Sequence, residues 1–169
     1  LQLSTSYNNE MYISFSKIQA LAIASYFKEQ WPLLIVCPSS VRFAWRSAVI
    51  RWLQSIDEED ITVVTSAKDP LEGGQVVIIS YDLLHKKQDE LVNELGSNMA
   101  ILDESHLIKT SKSARTKAAE NVFRDCRRVL LLSGTPALSR PIELYPQISI
   151  IDPKLFPYVT DFAMRQNKI

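Results

Sequence analysis

Glycine is scarce in this sequence: there are four among 169 residues, and none stands before Gly73. No Gly/Ser-rich linker, internal repeat or low-complexity tract divides the chain, so a single domain with its own core is the expected organisation. Long apolar runs are also missing. Runs such as Leu33 to Cys37 and Val129 to Leu132 fall far short of the roughly 20 residues that a membrane-crossing helix requires, which points to a soluble protein. An excess of either charge is absent too, because 19 basic side chains balance 19 acidic ones. That balance excludes a dedicated basic nucleic-acid module, and any such contact must be local. Cys37 lies in an apolar run and Cys126 beside two arginines, neither with metal-ligand spacing, as expected of core thiols in a reducing compartment. Leu1 to Glu10 offers neither the charged start nor the apolar stretch of a secretory leader.

What the chain does contain is an alternation of short β-rich runs with segments of helical period, the pattern of a parallel sheet covered on both faces. The strand candidates are Leu33 to Cys37, Ile61 to Thr65, Val76 to Ser80 after the Gly73-Gly74 turn, Met99 to Asp103 and Val129 to Ser133. Lys17 to Lys28 places Ile18, Leu21, Ala22 and Ser25 on one helical stripe, and Val41 to Leu53 places Trp45, Val49, Trp52 and Leu53 on another. Asp82 is a candidate N-cap for a helix over Leu83 to Leu95 closed by Gly96, and Ser111 or Ser113 for one reaching about Phe123. Glu143 to Ile150 and Pro157 to Gln166 complete the helices. The expected fold is a three-layer α/β sandwich with a mainly parallel sheet.

The residues best suited to chemistry are Asp103, Glu104 and His106, delivered by an apolar strand at its carboxyl end, where open α/β sheets bind ligands. Phosphoryl transfer needs one carboxylate to hold Mg²⁺ and a second group to orient the attacking water, and this pair supplies both. The plain alternative is an acidic turn after a strand. A second strand runs into Ser133-Gly134-Thr135-Pro136, so two polar clusters are expected on one rim, although that segment taken singly reads as a capped turn before proline. Trp45 and Trp52, seven apart, read as helix packing rather than base stacking. The basic residues of Lys109 to Arg128 read either as a phosphate-facing surface or as a solvated helix face.

In this order, Asp103-Glu104-Ser105-His106 and Ser133-Gly134-Thr135-Pro136 resemble motifs II and III of the superfamily-two helicases, and more closely the Swi/Snf-type translocases. Trp31 to Trp45 with Arg51-Trp52-Leu53 is similar to motif Ia of their annealing-helicase branch, related to HepA, with Ala48 where most of the family has glutamate. Ile78 to Leu84 resembles motif Ib, and Pro136 to Tyr145 that branch's stretch after motif III. The likeness runs from about Ile18 to Arg165. It implies a RecA-like lobe using ATP and Mg²⁺, with Asp103 on the metal, Glu104 activating water, and His106, Ser133, Gly134 and Thr135 coupling nucleotide state to movement. It also implies that Pro38, Ser39, Ser40, Arg42, Ser80 and Tyr81 lie along DNA and contact its phosphates, in a nuclear protein that rewinds forked or branched DNA in replication-fork repair.

The sequence departs from that family in front of Ile18-Gln19-Ala20. Where a Gly-x-Gly-Lys-Thr loop should cradle phosphates, Glu10 to Lys17 holds no glycine, and Ser16 and Lys17 stand in the places of lysine and threonine. Residues 1–16 therefore read as an atypical segment replacing the first strand and loop, and 17–169 as the ATP-binding lobe, with Ser16, Lys17 and Gln19 left as the nucleotide contacts. Nothing after motif III resembles the partner lobe with its arginine fingers, so a truncated or variant form is expected. A lobe that binds DNA or protein without hydrolysis is the alternative. Loss of a first strand predicts an open sheet edge or a gap beside Met99 to Asp103, with aggregation or pairing to another chain as its consequence.

Overall fold

A computed structural model describes residues 5–71, 74–134 and 140–166. Five short runs of β-branched and leucine side chains form one parallel sheet: β1 (Leu33–Cys37), β2 (Ile61–Val63), β3 (Val76–Ser80), β4 (Met99–Asp103) and β5 (Arg128–Leu132), in the order β2-β3-β1-β4-β5. All four pairings are parallel, with Leu33 opposite both Val76 and Met99, and Asp103 opposite Leu132. Every residue of β1 and β3 is buried, which explains why these strands read as continuous apolar runs rather than alternating ones.

Side chains from successive strand positions enter two separate cores. Leu33, Ile35, Cys37, Ile78 and Ile101 meet the face covered by α1 (Thr5–Tyr26) and α2 (Arg42–Trp52). Leu34, Val36, Ile79, Ala100 and Leu102 meet the opposite face. That second layer is built from α3 (Tyr81–Lys86), the short α4 (Gln88–Glu90) with the π-turn Leu91–Leu95, α5 (Ala114–Phe123) and α6 (Tyr145–Ile151). An amphipathic α7 (Val159–Gln166) follows, its Phe162 against Phe156 and Tyr145. The expected three-layer sandwich is present, and no helix among the described residues is long and apolar enough to cross a membrane.

Several local expectations are corrected. The first helix begins at Thr5 rather than Lys17. Its buried stripe is Lys17, Ala20, Leu21 and Ala24, with Ala22 and Ser25 exposed, because packing on α2 and the sheet selects a face rotated from the one the pattern suggested. Trp52 is 44% exposed instead of packing beside Trp45, and the Arg51 guanidinium lies 5.2 Å from its ring centroid. Ser80, not Asp82, caps α3 by accepting from the Leu83 amide at 3.4 Å, so the helix starts two residues earlier and is interrupted at Lys87. Gly96 does close the segment, in the left-handed conformation. Ser113 caps α5 through the Thr116 amide.

The sheet has no gap beside β4, which is hydrogen-bonded to β1 on one side and β5 on the other. Among the described residues the sheet ends in two edge strands, β2 and β5, and the five residues of β5 are all only partly buried although four of them are Val or Leu. Thr135, the Pro136 to Ser139 stretch and Gly73 lie outside the described residues.

Candidate functional site

Adjacent parallel strands β4 and β5 end at the same rim, which places Asp103 opposite Leu132 and brings the following segments together. The chain leaves β4 through Glu104 in the left-handed region at φ 52°, a conformation costing a non-glycine residue about 1 kcal/mol or more and concentrated at functional sites. A 3₁₀ turn, Ser105–Leu107, then swings His106 back toward β5.

Asp103 is held from three directions. Its Oδ2 accepts a hydrogen bond from Trp45 Nε1 at 2.8 Å, its Oδ1 accepts from the Glu104 amide at 3.1 Å, and its carbonyl accepts from the Tyr81 hydroxyl at 2.8 Å. His106 Nδ1 lies 3.1 Å from Ser133 Oγ and 3.1 Å from Glu104 Oε2. Both partners meet the same ring nitrogen, so the trio is no nucleophilic triad, which needs one partner on each nitrogen. It joins the carboxylate of one strand end to the hydroxyl of the next. Buried Ser105 donates to Gln147 Oε1 at 2.9 Å and ties the turn to α6.

Asp103, Glu104 and Ser133 border a cleft of about 530 Å³ together with Ser16, Lys17, Pro38, Ser40 and Gly134. Lys17 is 6% exposed, and its ammonium sits 5.2 Å from the Trp45 ring centroid. Trp45 thus presents its face to a cation and its N–H edge to a carboxylate, matching the polarity of an indole. Burial, reinforced by the Asp103 charge, pushes the Cys37 thiol up to about 12, so it is an inert neighbour. Burial first, and then Asp103, raises Tyr81 well above the phenol range.

Of the residues expected to act here, Asp103, Glu104, His106, Ser133, Gly134, Ser16 and Lys17 are brought together. Gln19 is exposed on α1 and does not border the cleft. Along the expected DNA path, Ser39 and Ser40 are exposed and Pro38 is half-buried. Arg42 Nε donates to the Ser39 carbonyl and its Nη1 to the Val64 carbonyl. Ser80 and Tyr81 are buried and engaged, as the cap of α3 and as the donor to Asp103. Trp45 and Gln147 were not singled out for the site. A buried indole must find an acceptor for its N–H, the one signal that pointed to Trp45.

The half of the site that would grip a nucleotide's phosphates does not fit ATP. A phosphate cradle uses backbone N–H groups freed at a loop and helix start. Residues 13–17 lie inside the continuous helix α1, where each N–H is directed to the carbonyl four residues earlier. Among the described residues no group of three or more metal-ligating side chains forms.

Comparison with known proteins agrees with this geometry. The chain is 49% identical over 148 residues to the Bos taurus SWI/SNF-related matrix-associated actin-dependent regulator of chromatin subfamily A-like protein 1, covering 88% of this chain and 16% of that protein. It is 39% identical over 153 residues to the Mus musculus DNA annealing helicase and endonuclease ZRANB3, covering 88% and 14%. The chain therefore spans about a sixth of the length of these curated relatives. The Sulfolobus solfataricus SWI2/SNF2 ATPase core in complex with dsDNA superimposes with a TM-score of 0.68 at 21% identity, over 83% of this chain and 29% of that one, and shows the shared RecA-like fold. With residues 7–168 matching the SNF2-related domain, a span that includes both strand-end clusters and most of α1, the chain belongs to the SNF2-related domain family.

Proposed function

We propose that this domain is the DNA-tracking lobe of an annealing-helicase-type motor, which rewinds forked or branched DNA in the nucleus during replication-fork repair. The observation that carries the reading is the junction at His106, whose Nδ1 lies 3.1 Å from both Glu104 Oε2 and Ser133 Oγ. A link of that kind gives a state change at one strand end a direct mechanical route to the next. DNA is the proposed partner, met through phosphates along Pro38, Ser39, Ser40 and Arg42, with Ser80 and Tyr81 supporting that surface from beneath. ATP with Mg²⁺ is the proposed cofactor of the whole motor, with Asp103 as the metal's carboxylate and Glu104 as the group that orients water. Ser16 and Lys17 border the same cleft. Because the phosphate cradle is not formed, no hydrolytic step is assigned to this chain by itself.

Anisotropy with labelled forked DNA tests the reading, and saturable binding is expected. Ile13→Gly, Phe15→Gly, Ser16→Lys and Lys17→Thr together recreate the cradle sequence, and a supplied second lobe brings the arginine that such sites require. DNA-stimulated ATP turnover should then appear and be abolished by Glu104→Gln with DNA binding intact. No binding to DNA, or turnover indifferent to Glu104, sinks the proposal.

One observation, the unbroken helix over residues 13–17, favours a second reading in which this lobe binds DNA or protein and hydrolyses nothing. Calorimetric titration of the unaltered chain with Mg-ATP separates the two. Micromolar affinity supports a nucleotide site rescued by Ser16 and Lys17, and no detectable heat supports the non-hydrolysing lobe.

A further inference from the structure

On the far side of Tyr81 from the carboxylates, α3 and the start of α5 enclose a second cleft of about 490 Å³. His85 and Lys86 enter it from α3, Lys109 from the segment after the Ser105–Leu107 turn, and Arg115 from the first turn of α5. Residues separated by up to 30 positions in a chain of zero net charge thus bring three basic side chains and an imidazole to one place. The one carboxylate there, Asp82, is held by Arg115 at 2.7 Å. The Arg115 guanidinium also lies 5.8 Å from the Tyr81 ring centroid, so its position is set before any ligand arrives. Lys86 and Lys109 are exposed, and neither forms an ion pair with a described residue.

A solvated helix face intersperses its charges, whereas this cleft gathers one sign around a hollow. Its chemistry suits a ligand with regularly spaced anions and no requirement for base recognition, because lysines act as point charges and Arg115 already has a carboxylate partner. Resting on the DNA-tracking reading above, we propose that the α3–α5 cleft is a second DNA-phosphate contact, distinct from the Pro38–Arg42 path. In it Lys86 and Lys109 neutralise phosphodiesters, and Arg115 is a fixed third donor. Tyr81 forms the wall between this cleft and the rim, its ring beneath Arg115 and its hydroxyl on the Asp103 carbonyl. DNA seated here lies one side chain away from the acidic pair.

The test is the salt dependence of binding by the whole chain to duplexes and forks of several sequences. Each phosphate neutralised on duplex DNA contributes about 0.9 to the slope of log affinity against log salt, so Lys86→Gln with Lys109→Gln should lower that slope by about 2. Affinity should fall about tenfold, to the same extent on every sequence. Both side chains are exposed, so an unchanged Tm is expected and shows that the variant is folded. If the unaltered chain binds no DNA, the DNA-tracking reading fails and this inference with it. If the unaltered chain binds and the double variant keeps its affinity and slope, the inference alone is overturned. A loss confined to particular sequences, or an unchanged DNA affinity alongside lost binding to an acidic peptide such as polyglutamate, overturns it as well.

Discussion

Trp45 Nε1 donates to Asp103 Oδ2 across 2.8 Å, joining helix α2 to the end of β4 over 58 positions of sequence. The indole is fully buried, and the carboxylate is the one that the family resemblance puts on a metal. A hydrogen bond to an ionised acceptor is stronger than a neutral one, and losing its donor inside a protein leaves the acceptor without compensation.

Trp45→Phe keeps most of the apolar volume and removes the N–H, so it is expected to lower unfolding stability by about 1–3 kcal/mol. Trp45→Ala should cost about 3–5 kcal/mol through the cavity it leaves. The specific link is measured by combining Trp45→Phe with Asp103→Ala in a denaturant double-mutant cycle, where coupling of about 0.5 kcal/mol or more is expected. Strict additivity would show that the two side chains are merely neighbours.

Start signals at α3 make a second test. Ser80→Ala should destabilise by about 1 kcal/mol, because it removes the acceptor for the Leu83 amide. Asp82→Ala should change stability by no more than about 0.5 kcal/mol, since Asp82 is exposed and holds a surface pair with Arg115. Chemical denaturation midpoints that rank the two substitutions the other way round would restore Asp82 as the cap.

At alkaline pH the buried Cys37 thiol and the partly buried Cys126 thiol should both lower stability. Cys37 ionises at about 12 and Cys126 at about 11 when folded, raised in both cases by burial, whereas an unfolded chain releases these protons near the free-thiol value. The folded state therefore binds more protons above that value, and stability falls as pH rises, by roughly 1.4 kcal/mol per pH unit for each thiol until its folded value is reached. Below about pH 8 neither thiol contributes a slope. Replacing Cys37 by Ala should flatten the decline measured between about pH 9 and 11, and an unaltered profile would refute the assignment.

The open edge of β5 predicts self-association. Its apolar side chains are only partly covered, and no proline or lysine within Arg128–Leu132 blunts the edge. Sedimentation velocity should show the weight-average coefficient rising with protein concentration, and Leu130→Lys should suppress the rise. A constant monomer value up to about 0.1 mM, well inside the μM to mM range in which exposed edges associate, would argue that the edge is protected.

The strand pattern and the polar clusters were legible before any coordinates because both are local. Leu33–Cys37, Val76–Ser80 and Met99–Asp103 carry the same bounds in sequence and structure, since continuous β-rich runs ending on polar residues leave little choice of state. Helix bounds were less legible. The pattern-based start at Lys17 ignored residues 5–16, whose helical state follows from being continuous with a packed segment rather than from periodicity. The cap of α3 was displaced because Ser80 still belongs to a strand, and a residue can end one element while capping the next.

By itself the sequence determined the parallel α/β class, one strand ending on carboxylates and another on hydroxyls, the kinship with Swi/Snf-type translocases and the want of glycines for a phosphate loop. Each of these depends on residues adjacent in the chain, where spacing alone sets which side chains share a face or a turn. Only the tertiary structure decided that Trp45 holds Asp103, that His106 joins Glu104 to Ser133, that Lys86 and Lys109 meet in one cleft, and that β4 is paired on both sides while β5 is an edge strand. Those relationships follow from strand order and helix placement, which are settled by burying two apolar faces of one sheet at once, a condition on the whole chain that no local stretch can express.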